Sequence, residues 1–210
     1  TTEYPAKTPA AADATPLLIV HGLFGSARNW GVIARHLSEN RPVLAVDMRN
    51  HGQSPRADSQ SYAEMAGDLA EVIAVHGGKV DLLGHSMGGK ASMQLALTRP
   101  DLLRTLVVAD IAPVAYDHDQ SQHIERMRGL NLSNLSSRQE ADRRLALVLD
   151  DPALRAFFLQ SLDLKADPPA WRLNLDVLQA EMAKIVGWPG TAGQFGGPTL
   201  FLTGANSHYV

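Results

Sequence analysis

The sequence predicts an α/β fold, a doubly wound and mostly parallel sheet into which a helical cap is inserted. Short, fully apolar runs of strand length alternate with segments of helical periodicity over the first half of the chain. From residue 112 to residue 190 the pattern is helical, apart from a short strand-like piece at 171–173. An apolar run at 199–203 returns the chain to the sheet. The predicted divisions are therefore a core part at 1–112, a cap at 113–190 and a second core part at 191–210.

The elements follow from these patterns in order. The predicted strands are the apolar runs at 17–20, 43–46, 80–83, 105–109 and 199–203, and the segment before them adds at most one strand. Helical spacing follows the first run from residue 30 to residue 37, and a capping box of Ser61 and Glu64 opens the second helix. A third helix follows Ser86. The helices predicted for the cap are 121–130, 137–149 (with a capping box of Ser137 and Glu140), 152–162 and 175–185.

Composition limits the class of protein. A chain of 210 residues can form one domain with an inserted subdomain. A net charge of −3 without a run of Lys or Arg predicts neither a nucleic-acid nor a membrane partner. The absence of cysteine excludes disulfides, thiolate metal sites and a cysteine nucleophile, and it fits a cytoplasmic location. Residues 1–16 lack the layout of a signal peptide, and no apolar run reaches membrane-spanning length.

The most informative motif is Gly84-His85-Ser86-Met87-Gly88, which joins a predicted buried strand to a predicted helix. This arrangement is typical of a nucleophile elbow, a sharp turn that lifts a serine hydroxyl out of the sheet. The serine is held at a left-handed backbone angle, and the glycines two residues before and after it let strand and helix pass closely. The alternative is a glycine-rich turn that happens to contain a serine. The strand and helix on either side favour a nucleophilic Ser86.

A nucleophilic serine needs a base, an acid that orients the base, and N–H donors for the oxyanion. His21, Asp47, Ser86 and Asp110 each follow a predicted strand and so share the carboxyl edge of the sheet. The predicted oxyanion donors are the N–H groups of Met87 and Leu23, the latter in the loop after the first apolar run. For His21 we favour a structural role within that loop.

Two positions compete for the acid. In many hydrolases of this architecture the acid lies in a turn after the cap, but that turn is Gly204-Ala205-Asn206-Ser207 here, with Ser207 where an aspartate is expected. Asp110 lies at the end of the preceding strand, one strand closer to Ser86. We assign the acid to Asp110; the alternative is that Asp110 only caps the turn into Pro113.

Several motifs together resemble the α/β-hydrolase esterases of the YbfF and ABHD11 type. They are His21-Gly22-Leu23-Phe24-Gly25-Ser26, Asp47-Met48-Arg49-Asn50-His51-Gly52-Gln53-Ser54-Pro55, Gly84-His85-Ser86-Met87-Gly88-Gly89-Lys90, Asp110-Ile111-Ala112-Pro113 and Asn206-Ser207-His208-Tyr209-Val210. The resemblance implies a triad acid at Asp110, hydrolysis of short-chain carboxylic esters and of acyl-CoA thioesters in some members, and no metal or cofactor. The oligomeric state stays open. Rival functions are C–C bond hydrolysis, perhydrolysis, lactone opening, or small-molecule binding without catalysis.

Other polar and aromatic residues have a structural and a functional interpretation. The polar loop at 47–55 is expected to be structural, although Arg49 or His51 contacting thioester phosphates is the alternative. The pocket candidates are Phe24, His85 and Trp188, and Phe157, Phe158, Trp171 and Trp188 are expected in the cap core or pocket wall rather than in a cofactor site. His118 and His123 are expected to be exposed.

The base is the part that the sequence leaves open. In this fold the histidine follows the last strand, and none of the chain's eight histidines lies there. We expect it about 20 to 30 residues beyond Val210, in a longer parent protein. The alternatives are a shortened, non-catalytic homologue, or His208 acting as a substitute base.

Overall fold

The computed structural model describes residues 1–8, 13–117, 119–207 and 209–210. Its strands are β1 (Thr2–Tyr4), β2 (Leu17–Val20), β3 (Val43–Val46), β4 (Val80–His85), β5 (Leu103–Ala109), β6 (Leu162–Asp163), β7 (Ala170–Trp171) and β8 (Thr199–Leu202). Its α-helices are α1 (Gly31–Leu37), α2 (Tyr62–Val75), α3 (Met87–Thr98), α4 (Ser121–Arg128), α5 (Arg138–Leu145), α6 (Pro152–Leu159), α7 (Leu175–Ala180) and α8 (Met182–Val186). Short 3-10 helices cover Ala27–Trp30 and Pro100–Leu102.

The central sheet has six strands in the order β1-β3-β2-β4-β5-β8. Only β1 is antiparallel, pairing with β3, and the other five strands run parallel. The predicted mostly parallel sheet is confirmed, including the single strand expected near the start of the chain. In the register of β4 and β5, His85 lies opposite Ala109, so Ser86 and Asp110 leave adjacent strands at the same edge.

Alternation along the strands gives the sheet two buried faces, as the fully apolar runs predict. Residues such as Leu18, Val20 and Leu82 face a large core that includes apolar side chains of α2 and α3. Leu17 and Ile19, pointing the other way, form a smaller core with Ala34 of α1. Helices on both faces hold the central strands rigidly, so the loops at their carboxyl ends have a fixed base. By contrast, β8 is exposed along its whole length.

The helix starts follow capping chemistry. At the start of α2, Ser61 accepts the N–H of Glu64 and the Glu64 carboxylate accepts the N–H of Ser61, so the predicted capping box is present. At α5 Ser137 accepts the N–H of Glu140, but the Glu140 carboxylate bonds Ser136 and Arg144 instead. The second predicted box is therefore only half formed.

The segment between β5 and β8, called the inserted segment below, contains α4 to α8 and the two-stranded pair of β6 and β7. The helices start where the sequence predicts and end several residues earlier, and the last predicted helix is split into α7 and α8. The strand-like piece predicted at 171–173 is the end of β7 and a bridge from Leu173 to His51. The predicted domain limits stay a prediction. Within the described ranges, no helix combines the length and apolar character that crossing a bilayer requires.

Candidate active site

Ser86 lies in the turn between β4 and α3 with backbone angles φ 51° and ψ −121°. A positive φ is costly for serine, so the surrounding contacts have to hold it there. The N–H of Ser86 donates to the carbonyl of Ala109 at 3.0 Å, and its carbonyl accepts the N–H of Lys90 at 3.1 Å. These bonds fix the turn to β5 on one side and to the first turn of α3 on the other.

The glycines of the motif are required by close backbone contacts. A Cβ at Gly84 would lie 2.4 Å from the carbonyl oxygen of Gly88. A Cβ at Gly88 would lie 2.5 Å from the carbonyl oxygen of His21 and 2.6 Å from that of Val20. The steric reason predicted from the motif is observed at Gly84, where a side chain would separate β4 from α3. At Gly88 a side chain would instead separate the start of α3 from the end of β2.

A cavity of about 390 Å³ opens beside Ser86 between the sheet edge and the inserted segment. Its wall is mostly apolar and aromatic, with a few polar side chains. The lining includes Leu23, Phe24, Trp30, Ile33, Tyr62, His85, Ser86, Met87, Lys90, Ile111, Tyr116, Gln120, His123, Leu154, Phe157, Phe158, Ile185 and Tyr209. An apolar cleft with few polar groups is the usual form of a small-molecule site.

The loop after β2 (residues 21–25, the β2 loop) is held by two buried histidines. His51 Nε2 accepts the N–H of Phe24 at 3.2 Å, and His21 Nε2 accepts the N–H of Met48 at 3.0 Å. Because His51 and Met48 belong to the loop after β3 (residues 47–55, the β3 loop), each loop supplies a histidine that binds the other. Both bonds need a neutral ring with its proton on Nδ1, which donates to the Gly22 carbonyl in His21 and to the Arg49 carbonyl in His51.

Burial keeps both rings neutral. It lowers the pKa of His21 to about 4 and that of His51 to about 3, where the adjacent His21 adds to the effect. The two ring centroids lie 5.1 Å apart. The structural interpretation favoured for His21 is confirmed, because its acceptor nitrogen is used to hold the backbone.

Of two neighbouring N–H groups in the β2 loop, one is bound by a histidine and the other is left unused. The N–H of Phe24, which has a φ of 64°, is used by His51. The N–H groups of Leu23 and of Met87, the first residue of α3, make no hydrogen bond to any residue that the structure describes. Both residues line the cavity beside Ser86.

Asp110 follows β5 at a φ of 56°. Its N–H donates to the carbonyl of Leu202 at 2.8 Å, and its Oδ1 accepts the N–H of Gly204 at 3.3 Å. The turn at 204–207 that competed for the acid therefore supports the carboxylate of Asp110 instead. The negative charge of Asp110 also acts on the ring of His85. Burial lowers the pKa of His85, and Asp110 opposes this effect.

His85 lines the cavity but makes no hydrogen bond to Ser86. Its ring packs against Trp30 at 6.0 Å between centroids, in line with the expectation that neighbouring side chains at the turn diverge. Across the described ranges, no imidazole is hydrogen-bonded to the Ser86 hydroxyl. His118 and His208 lie outside the described residues, and the expected histidine beyond Val210 stays a prediction.

The β3 loop is a structural element in its other contacts too. Asp47 accepts the N–H of Ala27 at 2.7 Å and that of Gln53 at 2.9 Å. Arg49 forms a two-bond ion pair with Asp68 of α2. With its carboxylate and guanidinium committed in this way, the loop is part of the scaffold, as the sequence predicts.

Lys90 is a feature that the sequence reasoning did not single out. Its side chain is buried on α3, and its Nζ donates to the carbonyls of Val186 at 2.8 Å and Gly187 at 2.6 Å, at the end of α8. It also lies 4.6 Å from the centre of the Tyr116 ring. Burial lowers the pKa of Lys90 to about 8. The lysine thus ties the helix that follows Ser86 to both ends of the inserted segment, and the available signal was that Lys90 is the one charged residue in a helix of buried residues.

Two expectations about aromatic and histidine positions are wrong. Trp188 does not line the cavity: it packs against Tyr62 at 6.4 Å between ring centroids, because the chain turns away after Gly187. His123 is half-buried and lines the cavity, because the first turn of α4 faces it. Phe24, His85, Phe157 and Phe158 do line the cavity, and Trp171 is buried with its Nε1 donating to the carbonyl of Met127.

Comparison with known proteins agrees with this geometry. A family model for the α/β hydrolase fold matches residues 15–210. The chain belongs to the α/β hydrolase family. Among curated members, the sn-1-specific diacylglycerol lipase ABHD11 of Danio rerio is 37% identical over 207 residues, covering 94% of this chain and 65% of that protein. Esterase YbfF of Escherichia coli is 39% identical over 200 residues, covering 93% of this chain and 76% of YbfF.

The solved structure of a marine microorganism esterase superposes with a TM-score of 0.91 at 34% identity, covering all of this chain and 81% of that one. The resemblance to the YbfF and ABHD11 type and the predicted α/β-hydrolase fold are therefore confirmed. The chain spans about two thirds of the length of the ABHD11 relatives that it matches.

Proposed function

We propose that the protein is a serine hydrolase of short-chain carboxylic esters, with Ser86 as the nucleophile. The observation that carries the proposal is the strained serine at the mouth of an apolar cavity, with two unused backbone N–H groups beside it. Strain of this kind persists where it serves a site. The names of the relatives, esterase and lipase, support the reaction class.

In the proposed reaction the Ser86 hydroxyl attacks the ester carbonyl while a base removes its proton. The N–H groups of Leu23 and Met87 stabilise the oxyanion, the alcohol leaves with a proton from the base, and water then releases the acid from the acyl-enzyme. Asp110 orients the base, which we expect to be a histidine beyond Val210. The bond from Gly204 to Asp110 supports this assignment, because it fixes the carboxylate at the sheet edge.

The cavity supports a small acyl group. Its volume of about 390 Å³ lies near the lower end of ligand sites, and its walls are mostly apolar. A thioester with the same acyl group fits the same chemistry, so the ratio of rates on butyryl-CoA and on an oxygen ester tests whether thioesters are substrates.

The test measures hydrolysis of p-nitrophenyl butyrate by the full-length protein. Ser86→Ala is expected to lower kcat by at least about a thousandfold, with the exposed Ser133→Ala as the matched control. A fluorophosphonate should label Ser86, and rapid quenching should find one acyl group on the peptide that contains it. Wild-type turnover by Ser86→Ala would exclude this nucleophile. Lack of both labelling and turnover, together with tight ligand binding, would favour a non-catalytic homologue.

A further inference from the structure

The start of α4 brings two polar side chains to the apolar cavity. Gln120, the residue before the helix, and His123 both line it. They are three residues apart, so they lie on the same face of the first helical turn. Neither side chain makes a hydrogen bond to a residue within the described ranges.

His123 is packed in a way that fixes its ring. Its centroid lies 5.2 Å from that of Phe158 and 6.5 Å from that of Phe24, the residue that follows the proposed oxyanion donor Leu23. Its Nδ1 is fully buried and has no hydrogen-bond partner among the residues that the structure describes. The ring nitrogen that a ligand in the cavity can reach is therefore Nε2, and no bond within the described ranges uses it.

Apart from His85 and Ser86 at the sheet edge, most other polar groups in the wall are already used. Asn29 bonds Ser26 and Gln160, Tyr62 donates to the carbonyl of Ile185, and Lys90 donates to the end of α8. The unsatisfied hydrogen-bonding capacity on the inserted-segment side of the cavity is therefore concentrated at the start of α4. Burial lowers the pKa of His123, with a smaller effect of Arg126, so its ring is neutral near pH 7. A neutral imidazole offers one donor and one acceptor.

We propose that His123 and Gln120 form a polar subsite that binds an oxygen-bearing group of the substrate, a hydroxyl or carbonyl beyond the scissile ester. The subsite makes the enzyme selective for oxygenated esters over plain alkyl esters. This inference rests on the proposed ester hydrolysis for its substrate class. Its physical basis is that a purely hydrocarbon ligand would displace solvent from the amide of Gln120 and from the accessible edge of the His123 ring without replacing the hydrogen bonds, whereas an oxygenated ligand replaces them.

The experiment compares three esters with the full-length protein. Ethyl butyrate is the reference, ethyl 3-hydroxybutyrate places a hydroxyl on the acyl side, and 2-hydroxyethyl butyrate places it on the alcohol side. Relative kcat/KM is measured with the unmodified enzyme, and relative Kd with Ser86→Ala, which needs no turnover. We expect one of the two hydroxylated esters to be preferred by about 5- to 20-fold in both measurements.

His123→Phe keeps the aromatic packing and removes the polar atoms, so the preference should fall to within about twofold of unity. His123→Asn should restore part of it, and His36→Phe, at an exposed histidine of α1, is the matched control that should leave the ratio unchanged. If His123→Phe does not fold, Gln120→Leu is expected to lower the same ratio by at least about twofold.

Equal kcat/KM and Kd values for all three esters, or a preference that is unchanged in His123→Phe, would overturn the proposal. A binding preference in Ser86→Ala without any hydrolysis by the unmodified enzyme would retain the subsite and reject the ester hydrolase. The two failures are therefore distinguishable.

Discussion

The mutual binding of the β2 and β3 loops by His21 and His51 makes the protein acid-labile in a defined pH window. Both rings accept a backbone N–H through Nε2, and protonation of that nitrogen replaces an acceptor by a donor facing another donor. In the unfolded chain each histidine titrates near pH 6.5, whereas burial lowers the folded pKa to about 4 for His21 and about 3 for His51. Between these values the unfolded chain binds protons that the native protein does not, so stability must fall as the pH falls.

The magnitude follows from the two pKa differences. Integration from pH 7 to pH 4.5 gives a loss of about 2.5 kcal/mol for each histidine, about 5 kcal/mol in all. Domains of this kind are stable by about 5–15 kcal/mol, so the loss is a large part of the total. His85 and His123, whose pKa values burial also lowers, act in the same direction.

Urea unfolding at pH 7.0, 5.5 and 4.5, followed by tryptophan fluorescence, measures this loss. The test variant is the double substitution His21→Gln and His51→Gln, in which an amide oxygen can accept the same N–H without titrating. Between pH 7.0 and pH 4.5 the decrease in the free energy of unfolding should be smaller in this variant than in the unmodified protein, by at least about 4 kcal/mol. His36→Gln, at an exposed site, should follow the unmodified protein.

Two results would refute the reasoning. The first is a loss below about 1 kcal/mol between pH 7 and pH 4.5 in the unmodified protein, because it would mean that the rings are not buried as acceptors. The second is an equal loss in the double variant, which would assign the acid lability to other groups.

Two further predictions concern the elbow and its helix. Gly88→Ala should lower the free energy of unfolding by at least about 3 kcal/mol and remove activity, because its Cβ would overlap the His21 carbonyl. The control Gly67→Ala in α2, where an added Cβ meets nothing within 4 Å, should be neutral or stabilising by up to about 1 kcal/mol; chemical denaturation measures both, and equal effects would contradict the prediction. Lys90→Met should cost about 1–3 kcal/mol and speed hydrogen exchange of the Tyr116 amide, since the carbonyl of Val186 is one of its acceptors and also accepts from Tyr116. The control Lys184→Met breaks only an exposed pair with Glu181 and should cost no more than about 0.5 kcal/mol; slow exchange in both variants would show that Lys90 does not hold the inserted segment.

The sheet could be predicted because its information is local. Four-residue apolar runs such as 17–20 and 43–46 specify strands buried on both faces. The spacing of Gly84 and Gly88 around Ser86 specifies the close crossing of β4 and α3, although it does not specify the contact of Gly88 with the end of β2. Asp110 could be placed at the sheet edge beside Ser86 because strand order determines which residues meet there, and its role as the acid stays a proposal. These features depend on short segments and on topology, which a single sequence contains.

The walls of the cavity were harder to predict because they depend on how the inserted segment packs. His123 lies in a polar stretch and Trp188 in an apolar one, yet His123 lines the cavity while Trp188 packs against Tyr62 outside it. The helices predicted at 121–130, 137–149 and 152–162 also end earlier than the periodicity indicates, and α7 and α8 replace one predicted helix. The pairing of His21 with Met48 and of His51 with Phe24 needs the relative position of two loops, which periodicity does not encode.

These pairings bear on the proposed catalysis as well as on stability. Because the N–H of Phe24 is bound by His51, the β2 loop is held with the N–H of Leu23 unused beside Ser86. A backbone donor that is fixed before the substrate binds needs no reorganisation when charge develops on the carbonyl oxygen. The pKa of His51 in the folded protein is about 3, so its ring keeps this bond while the stability of the fold is already falling below about pH 6.5. The loop should therefore be released together with global unfolding, and in His51→Gln the midpoint of acid unfolding should move to lower pH.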